Sequence, residues 1–222
     1  RWTWPGGSAT GANPTVKLPL GLTVVTLVVE DGTAAPVADT VVIGVVRPAP
    51  RRLKQLVTDY LEAELPTGDK WLDARIAATV RNVLGGLAER CWADDRRLAP
   101  SEGRQVFLQV AEAVAELQRI LDSPGADAAL RAIVQAAVRD LVAADEALAL
   151  TALRAAAATG NGPSAGRETQ KARQLADRAM AEADDGRPRD AIQGFLNAWR
   201  HAQKALGTTQ DEEVEKQATA AR

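Results

Sequence analysis

The side chains able to do chemistry are few and scattered. His201, in "AWRHAQKAL", is the single histidine. One imidazole excludes most histidine metal triads and leaves a Ser-His-Asp arrangement only through that residue. No Gly-x-Ser-x-Gly elbow accompanies it, so a surface or interface position on a helix is expected. Carboxylates pair at Asp94–Asp95, Asp184–Asp185 and Asp211–Glu213. These positions suit helix caps and solvated loops, whereas glycoside hydrolysis needs two carboxylates converging in a cleft. Glu30, Asp31 and Asp39 would offer hard oxygens to Ca²⁺, though without EF-hand spacing. There is no Walker loop and no dinucleotide glycine fingerprint. This inventory argues against an enzyme.

The single cysteine, Cys91 in "AERCWADD", forbids an internal disulfide and argues against a cysteine zinc site. It is expected as a small buried apolar residue, the alternatives being a reactive thiol or an intermolecular bridge. Lys+Arg number 27 against 29 Asp+Glu, a formal net charge of -2. That balance lacks the basic excess of a nucleic-acid binder. No apolar run approaches the ~18 residues of a membrane span. The sequence opens on Arg1 rather than Met, which points to processing or to a longer parent chain.

The elements that must position these residues come in two compositions. Residues 1–46 are rich in Val, Thr, Gly and Pro. Alternation places Val16, Leu18 and Leu20 on one face of a strand, Val25, Leu27 and Val29 on another, and Val41, Ile43 and Val45 on a third. Val24 and Val28 line the opposite face. Trp2 and Trp4 suggest a further short strand, giving about four antiparallel strands. Pro19–Gly21 and Asp31–Gly32 are turn signals.

"RPAP", 47–50, is a short stiff linker. Residues 51–206 then read as helices throughout, at about 51–65, 69–91, 100–121, 127–159, 165–184 and 188–206, each with an i, i+3, i+4 apolar stripe. Gly85–Gly86 falls inside the second and favours close approach of a neighbour. "WADDRRLAPSEG" reads as a loop. Pro100 suits a first helical turn. The long fourth helix is expected to bend or break near Ala144–Asp145. Gly186 and Pro188 punctuate a closing αα-hairpin, with Ala172, Ala176, Ala179 and Ala183 allowing close packing. Trp71, Trp92 and Trp199 are expected in the core. Residues 207–222 form a polar tail.

The stretch "SATGANPTVKLPLGLTVVTLVVEDGTAAPVADTVVIGVV" resembles the C-terminal half of the PKD-like and HYR-like immunoglobulin-type repeats of bacterial secreted proteins. "P-x-V-x-L-P-L-G", then "V-T-L-V-V-x-D-G-T" and "D-T-V-V-I", carry that likeness over about 40 residues. It implies an extracellular sandwich module of the kind used as a spacer or in adhesion, here without the early strands. "ARQLADRAMAEADDGRPRDAIQGFLNAWRHAQKAL" is similar to the FIMAH-like helical region that follows such repeats. It implies secretion and a place at the end of a larger surface protein, with no activity.

The expected fold class is α+β: a small antiparallel Ig-like β part, an incomplete sandwich, followed by a mainly α-helical bundle ending in an αα-hairpin. An apolar sheet with an open edge needs a cover. Trp2, Trp4, Val16, Leu18, Leu20, Val25, Leu27, Val29, Val41, Ile43 and Val45 are therefore the expected interface. The partner would be another copy, making a homo-oligomer or polymer such as a filament, or the missing N-terminal part of a larger precursor. The leading expectation is a non-enzymatic structural or adhesive protein of the bacterial surface, binding no nucleic acid and spanning no membrane. The alternative is a helical binding module for a peptide, glycan or surface protein. Calcium is the one cofactor the residues admit.

Overall fold

The computed structural model describes residues 1–16, 18, 21–30, 35–45, 48–160 and 162–207. The fold is α+β, and the chain divides into two compact units, Arg1–Pro48 and Ala49–Arg222. The tail beyond residue 207 lies outside the described residues, as do Leu20, Asp31 and the side chain of Val45.

The first unit is an antiparallel sheet of β1 (Trp2–Trp4), β2 (Gly7–Ala9), β3 (Gly21–Val29) and β4 (Val37–Val45), in the order β2-β1-β3-β4. Pro5 and Gly6, the latter with φ +93°, connect β1 to β2 in the residue pattern of a type II turn. Gly7 is required next: a Cβ there would lie 2.7 Å from the Trp4 ring. β3 and β4 are runs of β-branched residues, which suit the extended backbone. They pair over their full nine-residue length from Gly21↔Val45 to Val29↔Val37.

Two expectations fail in this unit. Residues 14–16 and 18 carry no strand. Pro14 leads that stretch, and Val16 and Leu18 are half-buried outside the sheet. Trp2 and Trp4 are not at a broken edge either. β1 is an inner strand between β2 and β3, both indoles are half-buried, and Trp2 Nε1 donates to the Gly11 carbonyl at 2.9 Å.

The second unit holds α1 (Pro50–Glu62), α2 (Lys70–Gly86), the hairpin β5 (Trp92–Asp94) and β6 (Arg97–Leu98), α3 (Gly103–Asp122), α4 (Ala128–Thr159), α5 (Pro163–Asp184) and α6 (Pro188–Ala205). α4 packs against α1, α3, α5 and α6, and α3 against α2, α4 and α6. The predicted stripes make one core, with Val57, Leu61, Ile76, Val83, Phe107, Val114, Leu141, Ile192 and Phe195 among its buried members. Asp69 caps α2 through the Trp71 and Leu72 amides, and Asp127 caps α4 through the Leu130 amide.

Several boundaries move for packing reasons. α2 stops at Gly86, whose carbonyl accepts from Trp92 Nε1 at 2.8 Å. Gly85–Gly86 thus closes the helix rather than sitting within it, and a Cβ on Gly86 would lie 3.5 Å from the Val106 Cα on α3. The expected loop at 92–103 contains the β5–β6 hairpin, anchored by buried Trp92 and Leu98. α3 starts at Gly103, beyond Pro100. α4 does not break at Ala144–Asp145 but continues as one helix of 32 residues. Trp71 is 42% exposed, with the Arg75 guanidinium 5.2 Å from its ring centroid, so it is a surface residue. Trp92 and Trp199 are buried as expected.

Small residues set the tightest contacts. A Cβ on Gly194 of α6 would lie 2.7 Å from the Ala179 Cβ on α5. On Gly103 it would meet Leu98 Cβ at 2.6 Å and the Trp199 ring at 2.8 Å. Gly194→Ala and Gly103→Ala should each destabilise the bundle by about 1–3 kcal/mol, because overpacking outweighs the helix propensity gained. Urea midpoints check this, and a rise in midpoint for either variant contradicts the packing described.

Candidate functional site

The feature of the β unit with the most unsatisfied potential is the outer edge of β4. Its polarity follows from the hydrogen bonding of β3. The Val28 amide donates to the Arg1 carbonyl at 2.8 Å, on the β1 side. Alternation along β3 therefore turns Thr23, Val25, Leu27 and Val29 toward β4. Their partners Ile43, Val41, Asp39 and Val37 point back at β3. Ala38, Thr40, Val42 and Gly44 consequently present their N–H and C=O groups outward. One outward donor is engaged locally: the Thr40 amide donates to Asp39 Oδ1 at 2.8 Å.

The side chains reinforce the edge. Every described side chain of β4 is exposed, with Val37 at 70% and Val42 at 61%. Pairing puts Val37, Val41 and Ile43 on one face with Val25, Leu27 and Val29, and Val42 on the other with Val24. Val25 is buried, Leu27 half-buried, and Val29 and Val24 exposed. Among the described residues of this unit the buried side chains are Thr23 and Val25. The strand carries no Pro or Lys to blunt it, and Asp39 is its one charge.

Of the oxygens expected to offer a calcium site, those of Glu30 and Asp39 do not converge. Glu30 lies just past the end of β3, three positions along from Leu27, the partner of Asp39, so roughly 10 Å separates them at strand rise. Asp31 is outside the described residues. Among the described residues no three His, Cys, Asp or Glu side chains gather as a metal-binding group.

In the helical unit several of the titratable groups form ion pairs. Asp94 accepts from the Arg96 amide at 2.8 Å and from Arg97 Nε at 2.6 Å, which holds its carboxyl below the usual range. Asp185 pairs with Arg187 at 2.8 Å, and Asp95 with Arg51 at 3.8 Å. Asp211 and Glu213 lie outside the described residues. Cys91 is fully buried, and burial raises its thiol pKa, so it is no reactive thiolate. His201 on α6 joins Nδ1 to Glu168 Oε2 of α5 at 2.5 Å.

The arrangement that sequence reasoning missed is Lys54–Asp145. Lys54 Nζ donates to Asp145 Oδ1, and both side chains are fully buried between α1 and α4. Burial pulls the lysine pKa down and pushes the aspartate pKa up, and each partner offsets the other's shift. Asp145 Oδ2 has no hydrogen-bond partner among the described residues. Tyr60 adds a second link, its hydroxyl 3.3 Å from Asp140 Oδ2. The signal was present: Lys54 shares a stripe with Thr58 and Leu61, and Asp145 lies between Leu141 and Leu148 on the apolar face of α4.

The described helices include none long and apolar enough to cross a membrane. No protein-family model, curated protein or solved structure matches the chain.

Two outcomes follow for the helical unit. Lys54→Met or Asp145→Leu alone should cost about 3–5 kcal/mol by stranding a buried charge, whereas the double variant should return close to the parent. Urea unfolding of all four proteins measures this, and additive losses contradict it. Glu168 has its pKa lowered, first by the hydrogen bond from His201. The unfolded chain therefore binds that proton at higher pH than the folded one. The stabilisation is complete above the unfolded value of about 4.3 and is lost as pH falls through the folded value. The stability gap between the parent and Glu168→Gln should shrink from pH 6 to pH 3, and a constant gap contradicts the pairing.

Proposed function

We propose that the chain is a non-enzymatic structural or adhesive subunit of the bacterial cell exterior, whose sheet is extended at β4 by a strand from a neighbouring chain. The observation that carries this is the nine-residue outer strand, with its outward backbone groups and exposed valines. An edge of that length and apolarity is a template for strand addition. The exterior location rests on the resemblance of 8–46 to PKD-like repeats and of 172–206 to the FIMAH-like region. The pairing of Lys54, Asp94, Asp185 and Glu168 with fixed partners supports a structural rather than catalytic use of the titratable groups.

A second reading has an observation of its own. A groove of about 570 Å³ runs between α3, α4 and the α5–α6 turn. Leu121, Val138 and Val142 give it an apolar floor, and Gln118, Arg139 and Glu146 supply polar groups. Such a groove suits a helical binding module taking a peptide or another surface protein.

Light scattering on the full chain separates the two. The strand-addition reading requires multiples of the single-chain mass at micromolar concentration, reverting to the single-chain mass in Val42→Lys. An associated Val42→Lys variant contradicts use of this edge, and a parent that stays monomeric at all concentrations contradicts the assembly.

A further inference from the structure

We infer that residues 210–222 form a further helix of the bundle, seated antiparallel to α4 and α6 in the groove that Leu206 borders.

That groove, about 310 Å³, lies between α4, α6 and the β5–β6 hairpin. α4 lines it with Leu148, Ala152 and Ala155, and α6 with Trp199, Gln203 and Leu206. Spacings of three and four residues put each set on one helix face. The first turn of α6 borders a different groove beside Val138 and Val142, through Pro188, while its last turn borders this one beside Thr159. The two helices therefore run in the same direction, and the groove follows their length. From Leu148 to Thr159 it spans roughly 16 Å at helical rise. Ala152 and Ala155 keep its α4 wall low, which lets a third helix come close.

The occupant follows from where the described chain stops. α6 ends at Ala205, and Gly207 has φ +67°, a left-handed residue that turns the chain off the helix axis. The chain thus leaves α6 beside Leu206, at the mouth of the groove. The residues beyond, "TTQDEEVEKQATAAR", carry the signals of a helix start. Thr209 and Glu212 have capping-box spacing, and Asp211, Glu212 and Glu213 fall in the first turn, where the dipole favours acidic groups. No Gly or Pro interrupts the run. Val214, Ala218 and Ala221 share one face at i, i+4, i+7, with Glu212, Lys216 and Thr219 on the other.

A helix over 210–222 is roughly 20 Å long, a match for the groove. Alone it is marginal in water, and its narrow face of Val and Ala suits a wall of Ala152 and Ala155. Entering at Leu206 and turning back, it runs from the Thr159 end toward the hairpin. Arg154, exposed beside the α4 stripe, bonds the Leu150 carbonyl and the Thr151 hydroxyl but no carboxylate among the described residues. The acidic residues flanking Val214 supply one. The tether sets the choice of occupant: a short linker gives an effective concentration on the order of millimolar, which a separate chain at micromolar concentration does not reach.

Hydrogen exchange in the full chain tests this. The amides of 214–221 should exchange on the order of tenfold or more slower than in a free peptide of 208–222, by the same factor at every protein concentration. Val214→Asp, which spoils the apolar face, and Ala155→Glu, which blocks the groove from α4, should each return them to the peptide rate while buried α3 amides stay protected. Val214→Asp should also shift the methyl resonances of Ala152 and Ala155. Exchange at the peptide rate in the parent overturns the helix. Protection that survives either substitution overturns the face or the groove assigned to it, and unmoved methyls overturn the groove whatever Ala155→Glu does to α4. Protection that grows with concentration gives the groove to the tail of a second copy and overturns the intramolecular seat.

Discussion

An edge strand carries a row of backbone donors and acceptors that only water or another strand can satisfy. In this chain that row lies on β4, where four of the nine residues are valine. Water can solvate the backbone, but the valine side chains stay exposed. A sheet of this size depends on the apolar surface it covers. Here the buried side chains among the described residues of the β unit are Thr23 and Val25. The strand carries neither Pro nor Lys, and of its outward donors the Thr40 amide is held locally by Asp39.

The helical unit is the opposite case. Its stripes meet one another around α3 and α4, and the glycines at 86, 103 and 194 lie where a neighbouring element packs within contact distance. A costly feature of it, the Lys54–Asp145 pair, is sealed inside. Such a pair adds little net stability against an apolar replacement but penalises any arrangement that separates its members. It therefore fixes how α1 sits on α4 more than how strongly it is held. The same logic explains why α4 runs unbroken through Ala144–Asp145: the charge has a partner, so the helix has no reason to open there.

How much of this was legible in the residues follows from what each pattern encodes. β3 and β4 were readable because β-branched alternation is a local property, and the helices were readable because their stripes repeat over several turns. The β5–β6 hairpin was not, since "WADDRRL" has no alternation and is held by the burial of Trp92 and Leu98 in the core. "TVKLPL" alternates as a strand does, yet Val16 and Leu18 lie outside the sheet. Trp2 and Trp4 were assigned to an edge because strand order is non-local: nothing in "RWTW" says that β2 would fold back outside it. Val25, Leu27, Val29, Val41, Ile43 and Val45 lie on β3 and β4, as their alternation implies. Which of them face solvent depended on β4 being outermost. Lys54 and Asp145 look polar singly, and only their places on two apolar stripes mark them as a buried pair.

The central claim concerns whether the outward groups of β4 are bonded to another chain. Hydrogen exchange of the Ala38, Val42 and Gly44 amides reads this directly. Strand addition predicts that these three amides gain protection as protein concentration rises, while the exchange of buried α4 amides stays constant. Free exchange of all three at every concentration would contradict it.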